Sequence, residues 1–133
     1  MANAINAIHR AGMPVMGHLG MLPQRVVEEG GYKVKGKTDD ERVRLVEDAR
    51  ILAEAGAFAL VLELVQADTA RAVTEGCDIP TLGIGSGAHC DGQILVTHDL
   101  IGLFPWFTPR FVQPRLQTAA AIKKAVIEWM KEI

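Results

Sequence analysis

The sequence predicts an α/β fold in which short parallel strands alternate with helices. Apolar segments of strand length alternate with segments of helical periodicity along the 133 residues, an order typical of βα units. The segment AFALVLE at 57–63 is apolar on consecutive residues, as expected for a strand covered on both faces. Gly12, Gly56 and Gly76 each follow a helical segment, where glycine commonly ends a helix.

The first half of the chain predicts two helices and two strands. A helix over 3–11 is followed by a strand over 13–19, which is entered through a proline. A long loop of mixed charge then leads to Thr38, which has a glutamate three residues later, the spacing of a capping box. The helix that begins there extends to about Ala55, because apolar residues recur along one side of it. The strand AFALVLE comes next.

The second half predicts one short helix, two strands and a final helix. Asp68 or Thr69 can cap the short helix, which reaches Glu75, and strands are expected over 79–87 and 92–99. After a proline-rich passage, a wide apolar face with a four-residue repeat predicts the final helix; its residues are Ala121, Ile122, Ala125, Val126, Trp129, Met130 and Ile133.

Composition bounds the class of protein. The net charge of −2 gives no basic stripe, so no nucleic-acid partner is expected. No apolar run of 18 residues occurs, and the first residues lack a signal pattern, so neither membrane association nor export is expected. Cys77 and Cys90 lie outside any C-x-x-C motif and indicate free thiols in a reducing cytoplasm. We expect one domain over 1–133.

Pattern alone leaves two architectures open. Four parallel strands can form an open doubly wound sheet. They can also form part of a (β/α)8 barrel, which typically needs about 250 residues.

Functional side chains of parallel α/β folds gather at the carboxyl ends of the strands. Four candidates lie there: His18, Glu63, the GIGSG turn at 83–87, and the pair at 98–99. Each also has a structural interpretation. Glu63 can cap a helix or pair with an arginine, and His18 can bond a backbone carbonyl. The GIGSG turn does not have the spacing of a phosphate-binding motif, and the 98–99 pair can simply begin a turn.

Several long strings, taken in order, resemble one enzyme family. They are GHLGMLPQ, GGYKVKGK, LVLE, IPTLGIGSG and CDGQILVTHDLIGLFPWFTPRFV. Together they span nearly the whole chain and resemble the second half of ketopantoate hydroxymethyltransferase. The resemblance implies that the chain is the later half, about strands five to eight, of a TIM (β/α)8 barrel whose first half is absent here.

The resemblance also implies an activity. Family members transfer a one-carbon unit from 5,10-methylenetetrahydrofolate to 3-methyl-2-oxobutanoate, giving ketopantoate for pantothenate and coenzyme A synthesis. Mg²⁺ chelates the 2-oxo acid and acidifies its C3 proton. The glutamate of LVLE, Glu63 here, is the implied proton acceptor, and His18 is implied to lie at the substrate. The family's metal ligands match no position in this sequence, so no metal ligand is named.

A half-barrel raises the question of partners. Its sheet edges and inward strand faces are uncovered, which favours pairing. We therefore expect a homo-oligomer, or a complex with a chain that carries the first half. Two other hypotheses stay open: a non-catalytic assembly or binding module, and another 2-oxo acid enzyme of the related mutase and lyase group.

Overall fold

The computed structural model describes residues 2–133, and the chain divides into two compact units, Met1–Ile94 and Leu95–Ile133. The first unit contains the sheet and three helices. In chain order its elements are α1 (Ala2–Arg10), β1 (Val15–Gly20), a 3₁₀ turn (Pro23–Arg25), α2 (Asp39–Glu54), β2 (Ala57–Glu63), α3 (Ala67–Glu75), β3 (Thr81–Ile84) and β4 (Gly92–Gln93). The predicted α/β class and its alternation of strands and helices are confirmed.

The four strands are parallel and lie side by side in chain order, β1-β2-β3-β4. A doubly wound sheet reverses its strand order at a switch point, and no reversal occurs among these four strands. The order is instead that of consecutive βα units in a barrel. The architecture therefore agrees with a half-barrel, the second of the two alternatives that the sequence left open.

One face of the sheet packs against helices. Leu60 and Leu62 of β2 are fully buried, and they share a core with Leu52 of α2 and Val73 of α3. Burying a leucine side chain contributes roughly 1.5–3 kcal/mol, so this layer is a main source of stability. A side chain at Gly17 of β1 would overlap Leu60, which explains why the strand has a glycine there.

The opposite face of β2 is more open than the sequence suggests. Alternation along the strand places Val61 and Glu63 on this face, and both are only partly buried. On the neighbouring strand, Met16 and His18 of the same face are exposed. Ala57 and Ala59 of this face are buried, so the expectation that β2 is covered on both faces fails at the carboxyl end of the strand, at Val61 and Glu63.

The capping box of α2 is confirmed, since Thr38 accepts from the Glu41 N–H and the Glu41 carboxylate accepts from the Thr38 N–H. The predicted caps of α3 are wrong. Asp68 and Thr69 lie inside the helix, and the Gln66 side chain accepts hydrogen bonds from both of their N–H groups, at 2.8 and 3.1 Å. Glutamine replaces the shorter polar residues that usually cap helices.

The fourth strand is shorter than predicted. β4 pairs with β3 over Gly92 and Gln93 only, and one further hydrogen bond joins the Ile94 N–H to the Gly83 carbonyl at 3.0 Å. The chain then enters α4 (Thr97–Leu100), where the sequence predicted a continuing strand.

The second unit contains α4 and α5 (Thr118–Trp129). Two hydrogen bonds join the start of α5 to Ile101, the residue after α4: the Thr118 N–H and the Thr118 hydroxyl both donate to the Ile101 carbonyl. The predicted apolar face of α5 is exposed, with Ile122 51% and Trp129 58% accessible. Within residues 2–133, no helix is both long and apolar enough to cross a membrane.

Candidate active site

Glu63 and His18 meet on the open face of the sheet. Glu63 is the last residue of β2, and its backbone lies opposite Gly20 of β1. His18 lies opposite Val61, two residues before Glu63, so both side chains project from the same face. His18 Nε2 lies 3.3 Å from Glu63 Oε2. The structure therefore brings together the two site residues that the sequence singled out.

The surroundings of Glu63 change its acidity. Its side chain is only 16% exposed, against 34% for His18. Burial raises the pKa of the Glu63 carboxyl above its ordinary value, while the charge and the hydrogen bond of His18 oppose that rise. A carboxylate with a raised pKa is a stronger base than one in water, provided that it is still ionised.

The backbone at Glu63 is fixed from both sides. The Glu63 carbonyl accepts from the Met21 N–H at 2.8 Å, and the Leu64 N–H donates to the Ile84 carbonyl at 2.9 Å. Leu64 has a φ of +49°, a left-handed conformation that costs an ordinary residue about 1–2 kcal/mol. Such a conformation persists only where the surroundings enforce it, and Leu64 is the residue directly after the candidate base.

The GIGSG turn has a structural role in this arrangement. Ser86 is fully buried; its hydroxyl donates to the Leu62 carbonyl at 2.7 Å and accepts from the Val65 N–H at 2.9 Å. The two bonds bridge the residues before and after Glu63 and Leu64. Ser86 was not a candidate in its own right, and only the predicted position of its turn at a strand end pointed to it.

Sequence reasoning also missed the return of the long loop to this edge. The Lys35 N–H donates to the Leu64 carbonyl at 2.8 Å, and the Gln66 N–H donates to the Lys35 carbonyl at 2.9 Å. The Lys35 ammonium forms an ion pair with Glu29 of the same loop. The backbone pairing of Lys35 beside β2 is isolated, and no hydrophobic pattern in the sequence predicts it.

Other polar residues lie apart from the Glu63 pair. Asp91 accepts from the Thr81 N–H and hydroxyl at the start of β3, and these bonds hold the pKa of Asp91 below its usual value. His89 contacts Arg71 at 2.6 Å. The 98–99 pair belongs to the second unit, where His98 stacks on Phe104.

The residues present do not form a magnesium site. Among residues 2–133 no group of three histidine, cysteine, aspartate or glutamate side chains comes together. Mg²⁺ prefers six oxygen ligands, and the Glu63 pair offers one carboxylate beside an imidazole. No residue of the described chain is therefore assigned to the metal.

The sequence is similar to one enzyme family over its whole length. The profile of a family described as ketopantoate hydroxymethyltransferase matches residues 1–133. Relatives named 3-methyl-2-oxobutanoate hydroxymethyltransferase include those of Cenarchaeum symbiosum (47% identical; 100% of this chain, 51% of the relative), Pyrobaculum islandicum (50%; 99% and 50%) and Heliobacterium modesticaldum (47%; 100% and 48%). The chain thus spans about half the length of the curated relatives it matches.

Proposed function

The chain belongs to the ketopantoate hydroxymethyltransferase family, and from this premise we propose that it takes part in hydroxymethyl transfer to 3-methyl-2-oxobutanoate. Glu63 is the general base in this proposal. The co-substrate is 5,10-methylenetetrahydrofolate, the product is ketopantoate for pantothenate synthesis, and water supplies the oxygen of the new hydroxyl group. The family match and the names of the relatives support the reaction, and the geometry of Glu63 supports its role.

The chemistry needs a base beside a weak carbon acid. Glu63 takes the proton from C3 of the 2-oxo acid, and the electron pair of the broken C–H bond passes into the enolate. Water cleaves the two C–N bonds of the folate methylene bridge, which releases tetrahydrofolate and leaves the one-carbon unit as formaldehyde. The enolate carbon forms the new C–C bond to this carbon, and the formaldehyde oxygen takes up a proton to become the hydroxyl group. A positioned base contributes about 10²–10⁴-fold to such a step. The observation that carries the proposal is the Glu63 carboxylate, which lies at the end of a parallel strand, is largely shielded from solvent and has a raised pKa.

Mg²⁺ belongs to the proposal as the family's cofactor, and when bound it would polarise the 2-oxo group. Its ligands are not assigned to residues 2–133, which hold no suitable cluster. A cytoplasmic location is proposed because both cysteines, Cys77 and Cys90, are free thiols.

The test combines product formation with proton exchange. Purified protein receives Mg²⁺, 3-methyl-2-oxobutanoate and 5,10-methylenetetrahydrofolate, and ketopantoate is measured by chromatography. Loss of the C3 proton signal in deuterated water reports the base-dependent step alone. We expect Glu63→Gln to lower both rates by at least about 10²-fold with substrate binding retained. The exposed Glu75 at the end of α3 provides the matched control, Glu75→Gln. Near-normal rates in Glu63→Gln would refute the role of Glu63.

A second candidate function is a non-catalytic assembly module. The observation that favours it is that, within residues 2–133, no cluster of side chains could hold the metal. In that case neither ketopantoate nor C3 exchange should appear with the wild-type protein alone. Activity that appears only when a polypeptide with the remaining half of a relative is added would instead identify a split enzyme.

We propose that the chain acts in a larger assembly, either with itself or with such a complementary chain. Met16, on the face of Glu63, is 43% exposed, and the apolar residues of α5 are exposed in the second unit. Apolar surface of this kind favours association. Light scattering at micromolar concentration should show a mass above that of one chain, and a monodisperse monomer would contradict the proposal.

A further inference from the structure

We infer that His18 is a positioning residue for Glu63: the imidazole holds carboxylate oxygen Oε2 and leaves Oε1 to receive the substrate proton. The inference rests on the proposed role of Glu63 as the base. It gives His18 a task that differs from direct contact with the substrate, the role that the family resemblance implies.

The register of the sheet makes this contact possible. Gly20 lies opposite Glu63 and has no side chain, so the nearest β1 side chain on that face is His18, which lies opposite Val61. From there the imidazole reaches diagonally along the strands, and its Nε2 atom comes to 3.3 Å from Oε2. Diagonal neighbours on one face of a sheet are within reach of long and aromatic side chains.

No other charged group in the described chain competes for Glu63. Within residues 2–133, His18 is the single side chain that lies at ion-pair distance from Glu63 and the only one whose charge acts on the Glu63 pKa. Lys35 joins the backbone beside β2, but its ammonium is paired with Glu29. Beyond β2, the Glu63 backbone lies opposite Ile84 of β3, which is apolar. Among the charged groups of residues 2–133, His18 is therefore the one placed to orient the carboxylate.

The contact suits a base that must change its charge. An Nε2–H group donates in the neutral imidazole and in the imidazolium alike. Before proton transfer it donates to a carboxylate oxygen. After Oε1 takes the proton, Oε2 is the carbonyl oxygen of a carboxylic acid and can still accept. The hydrogen bond can thus persist through the reaction while the free oxygen does the chemistry.

The test measures Glu63 directly and needs no turnover. Protein with ¹³C-labelled glutamate side chains is titrated by NMR, with Glu63→Gln used to assign the Glu63 carboxyl signal. Because His18 opposes the rise in the Glu63 pKa, its removal should shift that pKa further upward. His18→Leu removes charge and donor, whereas His18→Gln retains an amide donor and should give a smaller shift. Met16→Leu, a change on the same strand and face, is the control and should leave the titration as in the wild type.

The outcomes separate this inference from the proposed function. An unchanged Glu63 pKa in a folded His18→Leu protein overturns the inference, whatever the activity. If His18→Leu does not fold, the wild-type protein decides. A nuclear Overhauser effect is expected there between the His18 ring and the Glu63 side chain, and its absence overturns the inference. Where C3 exchange is measurable, His18→Leu should lower its rate about 10- to 100-fold with little change in KM and move the acidic limb of the pH profile upward. If Glu63→Gln leaves exchange intact, the base assignment fails while the titration still decides the role of His18.

Discussion

Replacing Gly20 with alanine should weaken the protein at the point where β1 passes the candidate base. A Cβ atom built on Gly20 would lie 2.2 Å from the Glu63 carbonyl oxygen and 2.7 Å from Val65 Cγ2. The closer contact is to backbone and cannot be relieved by rotating a side chain, and the second is to Val65, a buried β-branched residue with little freedom to move. Gly20 also has a φ of +95°, a conformation that alanine rarely adopts.

Two costs follow from this geometry. The positive φ costs alanine about 1–2 kcal/mol, and forcing a methyl group into an occupied space costs about 1–3 kcal/mol. We therefore expect Gly20→Ala to lower the free energy of unfolding by about 2–5 kcal/mol. That is a large part of the roughly 5–15 kcal/mol by which typical domains are stable.

Gly30→Ala separates the two costs. Gly30 also has a positive φ, +69°, but nothing lies within 4 Å of a Cβ atom placed there. Gly30→Ala should lose only the conformational part, so the two variants should differ by about 1–3 kcal/mol. Urea unfolding followed by circular dichroism measures both. If Gly20→Ala is no less stable than Gly30→Ala, the close approach of β1 to the Glu63 carbonyl is not present in solution.

Two further predictions concern pH. Bonds from Thr81 lower the pKa of Asp91 in the folded protein, so its stabilising contribution is present above the ordinary carboxyl pKa and is lost as pH falls through the folded value. Asp91→Asn should therefore cost about 1 kcal/mol at neutral pH in urea unfolding, and a cost that does not shrink in acid would contradict the Thr81 contact. Burial raises the pKa of Glu63, so the pH dependence of its contribution to stability is opposite to that of Asp91. The wild type should lose stability relative to Glu63→Gln as pH rises through the Glu63 pKa. Parallel unfolding curves for these two proteins across that range would show that the carboxylate is not desolvated.

Elements with a strong local cause could be predicted from the sequence. The strand over 57–63 was located at its observed bounds, since its apolar run is long and flanked by glycine and a charged end. The helix after Thr38 was located by its capping box. The predicted length of the fourth strand was wrong, because the apolar run continues through Val96 whereas the backbone pairs with β3 only at the start of that run. A hydrophobic pattern indicates that a segment can be buried, but it does not determine how many of its backbone groups form hydrogen bonds to a neighbouring strand.

The candidate site was predictable in its members and not in its contacts. Glu63 and His18 were both expected at strand ends, but their pairing depends on a register in which His18 faces Val61. That register follows from tertiary packing and leaves no mark on spacing within the sequence. The same holds for Ser86, whose two backbone partners come from another strand and its following loop. The roles of Glu63 and His18 in catalysis stay predictions.

The loop between β1 and α2 is attached at both of its ends to the same short piece of backbone. Met21 bonds to the Glu63 carbonyl, and Lys35 bonds to the carbonyl of the next residue. The residues between Met21 and Lys35 therefore form a loop whose two ends are attached to adjacent residues at the end of β2. Gly30 lies between the two attachment points and has open space around it, so a change of length there should leave both hydrogen bonds in place. This makes the loop the natural segment to vary if the proposed transfer is tested on other 2-oxo acids.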